Sequence, residues 1–345
     1  MPTKRIYSCL KAICFSLLVI AAGSAQAETI LRFASWAPPS HPQNSVVIPL
    51  WAEQVQAATE GRVRVVVEYD LGHPKTMFNL VEDGVADASW SYHGYVPGRF
   101  TLPIAAELPG PEADAEAISV ALWRTYAKYF ASADEFSGLT LLALFTHGPG
   151  QLHTRVPVNS WAQLEGMKIR VGGGIQSELA SRLKVSPVAA PASKVYEMLQ
   201  QGVIDGVFLP MMDQKGLRLS EVAPHVTELP TGLYQGSFSM FINPDFLASL
   251  DPRDAEAIMS ISGEKLSAQA GHAWAMADKE GLSTAQKAGV TINQLTETDP
   301  MTLEFKKITE GLDEIWIGQA QSKSVEAQAA LQFLRQTANN YSSNE

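Results

Sequence analysis

Apolar residues along this chain recur with two periods in turn. Residues 29–36 form a short run rich in strand formers, broken by Pro38, Pro39 and Pro42. Val47, Leu50, Trp51 and Val55 then fall near helical spacing, which predicts a helix over 46–59 stopped by Gly61. Val63, Val65 and Val67 alternate with Arg62, Arg64 and Glu68, the pattern of a half-buried strand. A short helix over 76–82, ended by Gly84, and a strand over 86–91 continue the order. Ile118, Leu122, Tyr126 and Phe130 mark a longer amphipathic helix over 113–130, and 139–145 reads as an apolar strand.

A second unit repeats the alternation. It has a turn over 161–164, a strand over 167–171, a glycine loop at 172–174, and a helix over 176–183. A strand over 187–190, a helix over 194–201 and a strand over 203–209 close it. Residues 237–242 return as a strand, and 252–289 are mostly helical, with 264–288 long enough to reach across both units. Such alternation predicts sheets covered by helices. The fold class is therefore α/β, with two lobes joined at a hinge, a central cleft as the expected ligand site, and a long helix spanning both lobes. Lobe 1 is expected over 28–150, completed by 235–262 and the C-terminal helices, and lobe 2 over 151–234. The spanning helix takes 263–289, and 290–345 form a C-terminal helical region.

The N-terminus sets the compartment. Lys4, Arg5 and Lys11 precede an apolar run over 13–22, and Ala25-Gln26-Ala27 supplies a small-x-small cleavage pattern. That order is the signature of a removable secretory signal, expected here over 1–27. The run is shorter than the roughly 20 apolar residues of a spanning helix, so the expectation is a soluble exported chain without membrane insertion. Both cysteines, Cys9 and Cys14, fall inside this leader, which leaves the mature chain without a disulfide. The net charge of the whole chain is −10, and the leader removes only basic residues, so the mature chain is more acidic still. With no basic run of five or more, a nucleic acid or an anionic membrane is not the expected partner.

Signatures of catalysis are missing. The sequence has no His-Glu-x-x-His, no Gly-x-Ser-x-Gly and no cysteine pair after the leader. Gly172–Gly174 lacks the Lys-Ser/Thr of a phosphate loop and reads as a tight strand-to-helix turn. The seven histidines are scattered, with no pair at zinc-ligand spacing, and no carboxylate pair stands in a visibly apolar setting. Neither a metal nor a cofactor is expected.

Three stretches carry more specific information. They are Leu31-Arg32-Phe33-Ala34-Ser35-Trp36-Ala37-Pro38-Pro39-Ser40-His41-Pro42, then Leu164-Glu165-Gly166-Met167-Lys168-Ile169-Arg170-Val171. Val195-Tyr196-Glu197-Met198-Leu199-Gln200-Gln201-Gly202-Val203-Ile204-Asp205-Gly206 is the third. In this order and spacing the chain resembles the extracytoplasmic solute-binding proteins of TRAP (tripartite ATP-independent periplasmic) transporters, over essentially its whole mature length. The resemblance implies a periplasmic protein of the two-lobed binding fold that closes on a small organic anion. It also implies delivery of that anion to a membrane permease driven by an ion gradient. A ligand-presenting sensor subunit for a signalling receptor, or a periplasmic enzyme on the same scaffold, are the alternatives.

The residues can also be read without the family. Alternation puts Arg170 opposite Ile169 and Val171, at a strand end just before the glycine turn and a helix start. A guanidinium there can pair bidentately with a carboxylate or sulfonate, helped by the field of the helix N-terminus. The resemblance gives the residue matching Arg170 this same role, gripping the substrate carboxylate. Trp36, Trp90, Tyr92, His93 and Tyr95, with Phe208, Met211 and Met212, lie at strand ends and are expected to enclose the ligand body. Many relatives carry an asparagine where this chain has Leu209, a departure that makes the site more apolar and argues against sugar acids and polar dicarboxylates. Gln151 and His153 lie near where many relatives carry a second anion-binding arginine, with Arg155 close by. The expected ligand is an aromatic or hydrophobic monocarboxylate.

Overall fold

The alternating valines and their neighbours build the first of two sheets. The computed structural model describes residues 28–110 and 112–342, so the expected leader over 1–27 lies outside the described residues. In lobe 1, β1 (Thr29–Ser35), α1 (Ile48–Ala58), β2 (Val63–Tyr69), α2 (Met77–Glu82) and β3 (Ala88–Tyr92) follow in order, the three strands parallel. Helix α3 (Ala115–Thr125) then leads to β4 (Thr140–Thr146). The chain crosses to lobe 2 for β5 (Gly150–Thr154), β6 (Lys168–Val171), α4 (Ile175–Arg182), β7 (Ser186–Ala189), α5 (Val195–Gln200) and β8 (Gly206–Pro210). A single turn α6 (Asp213–Gly216) and strand β9 (His225–Glu228) complete that passage. It returns to lobe 1 as β10 (Ser237–Ile242), runs through α7 (Glu264–Lys287), and enters lobe 2 again as β11 (Thr291–Gln294).

The sheet orders are β2-β1-β3-β10-β4 and β11-β9-β5-β8-β6-β7. In each, one strand that has crossed from the other lobe runs antiparallel to both neighbours, β10 between β3 and β4 and β5 between β8 and β9, while the later crossing, β11, pairs parallel to β9. The crossings leave from β4 at the edge of the first sheet and from β9 one strand inside the edge of the second, and arrive mid-sheet as β5 and β10. Gly150, the first residue of β5, and Tyr234, between β9 and β10, form an antiparallel bridge where the two crossings run side by side.

Helix α7 spans the lobes as its length predicts. At its start the Gly263 N–H donates to the Leu142 carbonyl of lobe 1 (2.6 Å). Near its end Ala285 packs with Met211 and Val226 of lobe 2. Its midpoint presents Trp274 to a core that also holds Trp90, Phe145 and Phe238.

Element limits differ from the periodic reading where backbone chemistry intervenes. The helix expected over 46–59 opens with a wide turn over Gln43–Val47, and Pro49 sits in the first α-turn, where a missing N–H costs nothing. The helix expected over 113–130 loses α-geometry at Thr125 and continues as a wide turn, Tyr126–Phe130. Strands β5, β9 and β11 carry no apolar alternation and were not expected. Their place in the sheet comes from pairing, with β5 hydrogen-bonded on both sides.

Candidate functional site

Arg170 reaches the cleft because β6 is four residues long and ends in glycines. Its side chain is 2% exposed, and its Nε donates to the Ala190 carbonyl at 2.8 Å. The rest of the guanidinium stands beside the Tyr95 hydroxyl. Among the described residues no carboxylate lies within the 4.0 Å of an ion pair with it. A buried cation without a counter-charge is costly, and an anion arriving in the cleft removes that cost.

The cleft around it has about 740 Å³ free of protein atoms, open solvent at its mouth included. Its walls are aromatic. Trp36 meets Tyr95 edge-on (5.7 Å), Tyr95 meets Tyr92 at a right angle (5.2 Å), Tyr92 tilts over Phe238 (5.1 Å), and Phe238 over Trp274 (4.7 Å). His41 and His147 fill the gaps, and both are pushed down, to about 3 and about 4, by burial. They are therefore neutral rings near pH 7, and among the described residues Arg170 is the one cationic side chain lining the cleft.

Of the residues expected from sequence, Arg170, Trp36 and Tyr92 line this cleft, as do Tyr95 and Met212. The others do not line it. Trp90 lies one layer behind, tilted against Trp36 (4.6 Å), its indole N–H donating to Ser35 Oγ (3.0 Å). His93 turns to the far side of the sheet, bonded to Ser237 Oγ (2.9 Å). Phe208 is wholly buried and offers only its carbonyl, to the Tyr234 hydroxyl (3.1 Å). Met211 and Gln151 line a separate depression, where the Gln151 amide bridges the Leu229 backbone. His153 is held between the Leu209 carbonyl and Gln214 (both 2.8 Å). Arg155 stands on an outer surface beside Glu165 and Asp205, away from the cleft. Sequence reading missed His41, His147, Phe238 and Trp274, and it also missed three buried carboxyls.

Those carboxyls shape the electrostatics. Burial pushes Asp213, on the cleft wall, up to about 8, with Asp278 adding repulsion and Arg170 opposing it. Asp278 and Glu107 are each pushed up to about 7, again by burial. Between the ordinary carboxyl value of 3.8 and about 8, the folded protein binds more protons at Asp213 than the unfolded chain does. Stability must therefore fall as pH rises through that window. Asp213→Asn is expected to exceed the wild type in stability at pH 8 by on the order of 1 kcal/mol and to lose the advantage near pH 4. Urea unfolding at the two pH values checks this.

The lobes are joined behind the cleft by Glu107. Its Oε1 accepts from the N–H (3.0 Å) and hydroxyl (2.8 Å) of Ser237 in lobe 1. Its Oε2 accepts from the Ile175 N–H (3.0 Å) at the start of α4 in lobe 2 and from the Tyr92 hydroxyl (3.3 Å). Tyr92 also points at the Gly173 carbonyl (3.1 Å). Gly173 itself has φ +103°, and a Cβ there would strike the Gly94 carbonyl of lobe 1. Gly173→Ala is thus expected to hold the lobes apart. Its ligand affinity should fall at least tenfold, and small-angle scattering with ligand present should give a larger radius of gyration than wild type.

Two lobes, an aromatic cleft and one buried unpaired cation define a solute-binding protein. Over residues 33–317 the sequence matches the bacterial extracellular solute-binding proteins of family 7 (DctP), and the chain belongs to that family, the solute-binding proteins of TRAP transporters. A TRAP periplasmic solute-binding protein from Bordetella bronchiseptica, solved with bound (R)-mandelate and (S)-mandelate, is 34% identical. It superposes with a TM-score of 0.87 over 91% of this chain and 99% of that one. A marine metagenome TRAP solute-binding protein specific for aromatic acid ligands, in complex with 3-hydroxybenzoate, is 30% identical. Its TM-score is 0.84, over the same shares of the two chains. The outer membrane transporter protein TsaT of Comamonas testosteroni is 32% identical over 334 residues, 95% of this chain and 98% of that protein. Proteins of this family bind small organic acids and work with membrane permease components. No helix among the described residues is long and apolar enough to cross a membrane.

Proposed function

We propose that this chain captures an aromatic or hydrophobic monocarboxylate in the periplasm and hands it to the ion-gradient-driven permease of a TRAP transporter. The observation that carries the reading is Arg170, buried, without a carboxylate partner, and opening on a cleft walled by aromatic rings. A single cation suits a single acid group, and Trp36, Tyr92, Tyr95, Phe238 and Trp274 offer apolar faces to the ligand body. The mandelate and 3-hydroxybenzoate held by the two solved relatives have the same combination of one carboxylate and one ring. The leader over 1–27 would take the chain through the inner membrane and be removed. The ligand would leave unchanged, its binding energy spent on closing the lobes.

A thermal-shift panel tests the reading on protein freed of co-purified ligand by unfolding and refolding. A ligand at 100 times its Kd adds about 2.7 kcal/mol, a visible shift. Shifts are expected with aromatic and hydrophobic monocarboxylates and not with dicarboxylates, sugar acids or betaines. Shifts confined to sugar acids would overturn the ligand class.

A further inference from the structure

Asp213 is a charged-type cleft residue whose chemistry the reading above leaves unused. It opens α6 directly after Met212 and is 6% exposed, yet its carboxyl receives no hydrogen bond from any described residue. Arg170 attracts it but stands beyond ion-pair distance. Asp278 repels it, and that carboxyl is already bonded to the Met212 N–H at 2.8 Å. Two polar neighbours on the cleft wall are engaged elsewhere. His147 uses both ring nitrogens on the backbone at Gly148 and Gly236, and the Tyr234 hydroxyl is committed to Phe208.

Buried carboxyls in folded proteins are nearly always bonded, and one left open in a cleft calls for a donor from outside the chain. We propose that Asp213 determines specificity by accepting a hydrogen bond from a hydroxyl on the ligand, so that hydroxylated aromatic acids are selected over their unsubstituted parents. The inference rests on the aromatic-acid reading and adds to it the residue that chooses among such acids. A hydroxyl can bond the carboxyl in either protonation state, whereas an ammonium would have to shed its hydration for a group that burial pushes toward its neutral form. A site built to bond a hydroxyl discriminates strongly against the analogue lacking it, because the buried acceptor is then left unpaired.

Calorimetric titration of two ligand series tests this: phenylacetate, mandelate and phenylglycine, then benzoate and 3-hydroxybenzoate. Wild type should bind at least one hydroxylated acid tenfold or more tightly than its parent. Asp213→Leu should erase that preference while still binding the parent acids, and Asp213→Asn, which keeps an acceptor oxygen, should retain part of it. Circular dichroism establishes that both variants are folded. Equal affinity for parent and hydroxylated acids in wild type, or a preference that survives in Asp213→Leu, overturns the assignment. Tighter binding of phenylglycine than of mandelate overturns it in favour of an ammonium. Failure of every aromatic acid on wild type would instead sink the ligand class itself, and the role of Asp213 with it.

Discussion

Arg170→Ala is expected to weaken binding of the preferred acid by 100-fold or more. Truncating one partner of a buried, hydrogen-bonded charge pair costs about 2–5 kcal/mol, which is about 30- to 5,000-fold in Kd. The low end of that range is exceeded because Arg170 is 2% exposed and no other cationic side chain among the described residues lines the cleft. Arg170→Lys should recover only part of the loss, since an ammonium cannot reproduce the planar two-pronged contact with a carboxylate. The ligand-free variant should be no less stable than wild type. Its removal costs the bond to the Ala190 carbonyl and the contact with the Tyr95 hydroxyl, and relieves an uncompensated charge. A drop in affinity with undiminished stability separates a ligand contact from a structural arginine. Titration calorimetry and urea unfolding on the same preparation read both.

The second large effect concerns Glu107. This carboxyl is fully buried and gathers four donors from both lobes, from Ser237 twice, Ile175 and Tyr92. Glu107→Ala leaves the Ser237 and Ile175 N–H groups without an acceptor and takes one of two partners from each of the Tyr92 and Ser237 hydroxyls, at about 1–3 kcal/mol for each group that water cannot reach. A loss of about 3 kcal/mol or more in unfolding free energy is expected. Glu107→Gln preserves one acceptor oxygen and should lose distinctly less. A urea midpoint for Glu107→Ala equal to that of wild type would remove the carboxyl as the tie between lobes.

Much of this architecture is legible in the residues alone. Val63, Val65 and Val67 mark β2 by period two, and Val47, Trp51 and Val55 mark α1, because each element has one face on the core. Strand β5 is invisible by that rule. Gly150, Gln151, Leu152, His153 and Thr154 are all buried, the polar ones answered by distant groups such as the Leu229 backbone and Gln214. The site divides the same way. Arg170 declares itself through strand alternation before a glycine turn. Phe238 and Trp274 lie far along the sequence, on β10 and α7, and join the cleft only because a crossing strand and a spanning helix return there. Asp213 carries a weak local signal, two methionines before it. Its apolar setting is made by the fold, as are those of Glu107 and Asp278.

The most direct test of the central claim is a crystal structure of the protein with the aromatic acid that gives the largest thermal shift. The account predicts the ligand carboxylate within about 3 Å of both terminal nitrogens of Arg170, the geometry of a bidentate pair. The ring should lie among Tyr92, Tyr95, Phe238 and Trp274. A carboxylate held elsewhere, with Arg170 turned to a side chain of its own chain, would contradict it.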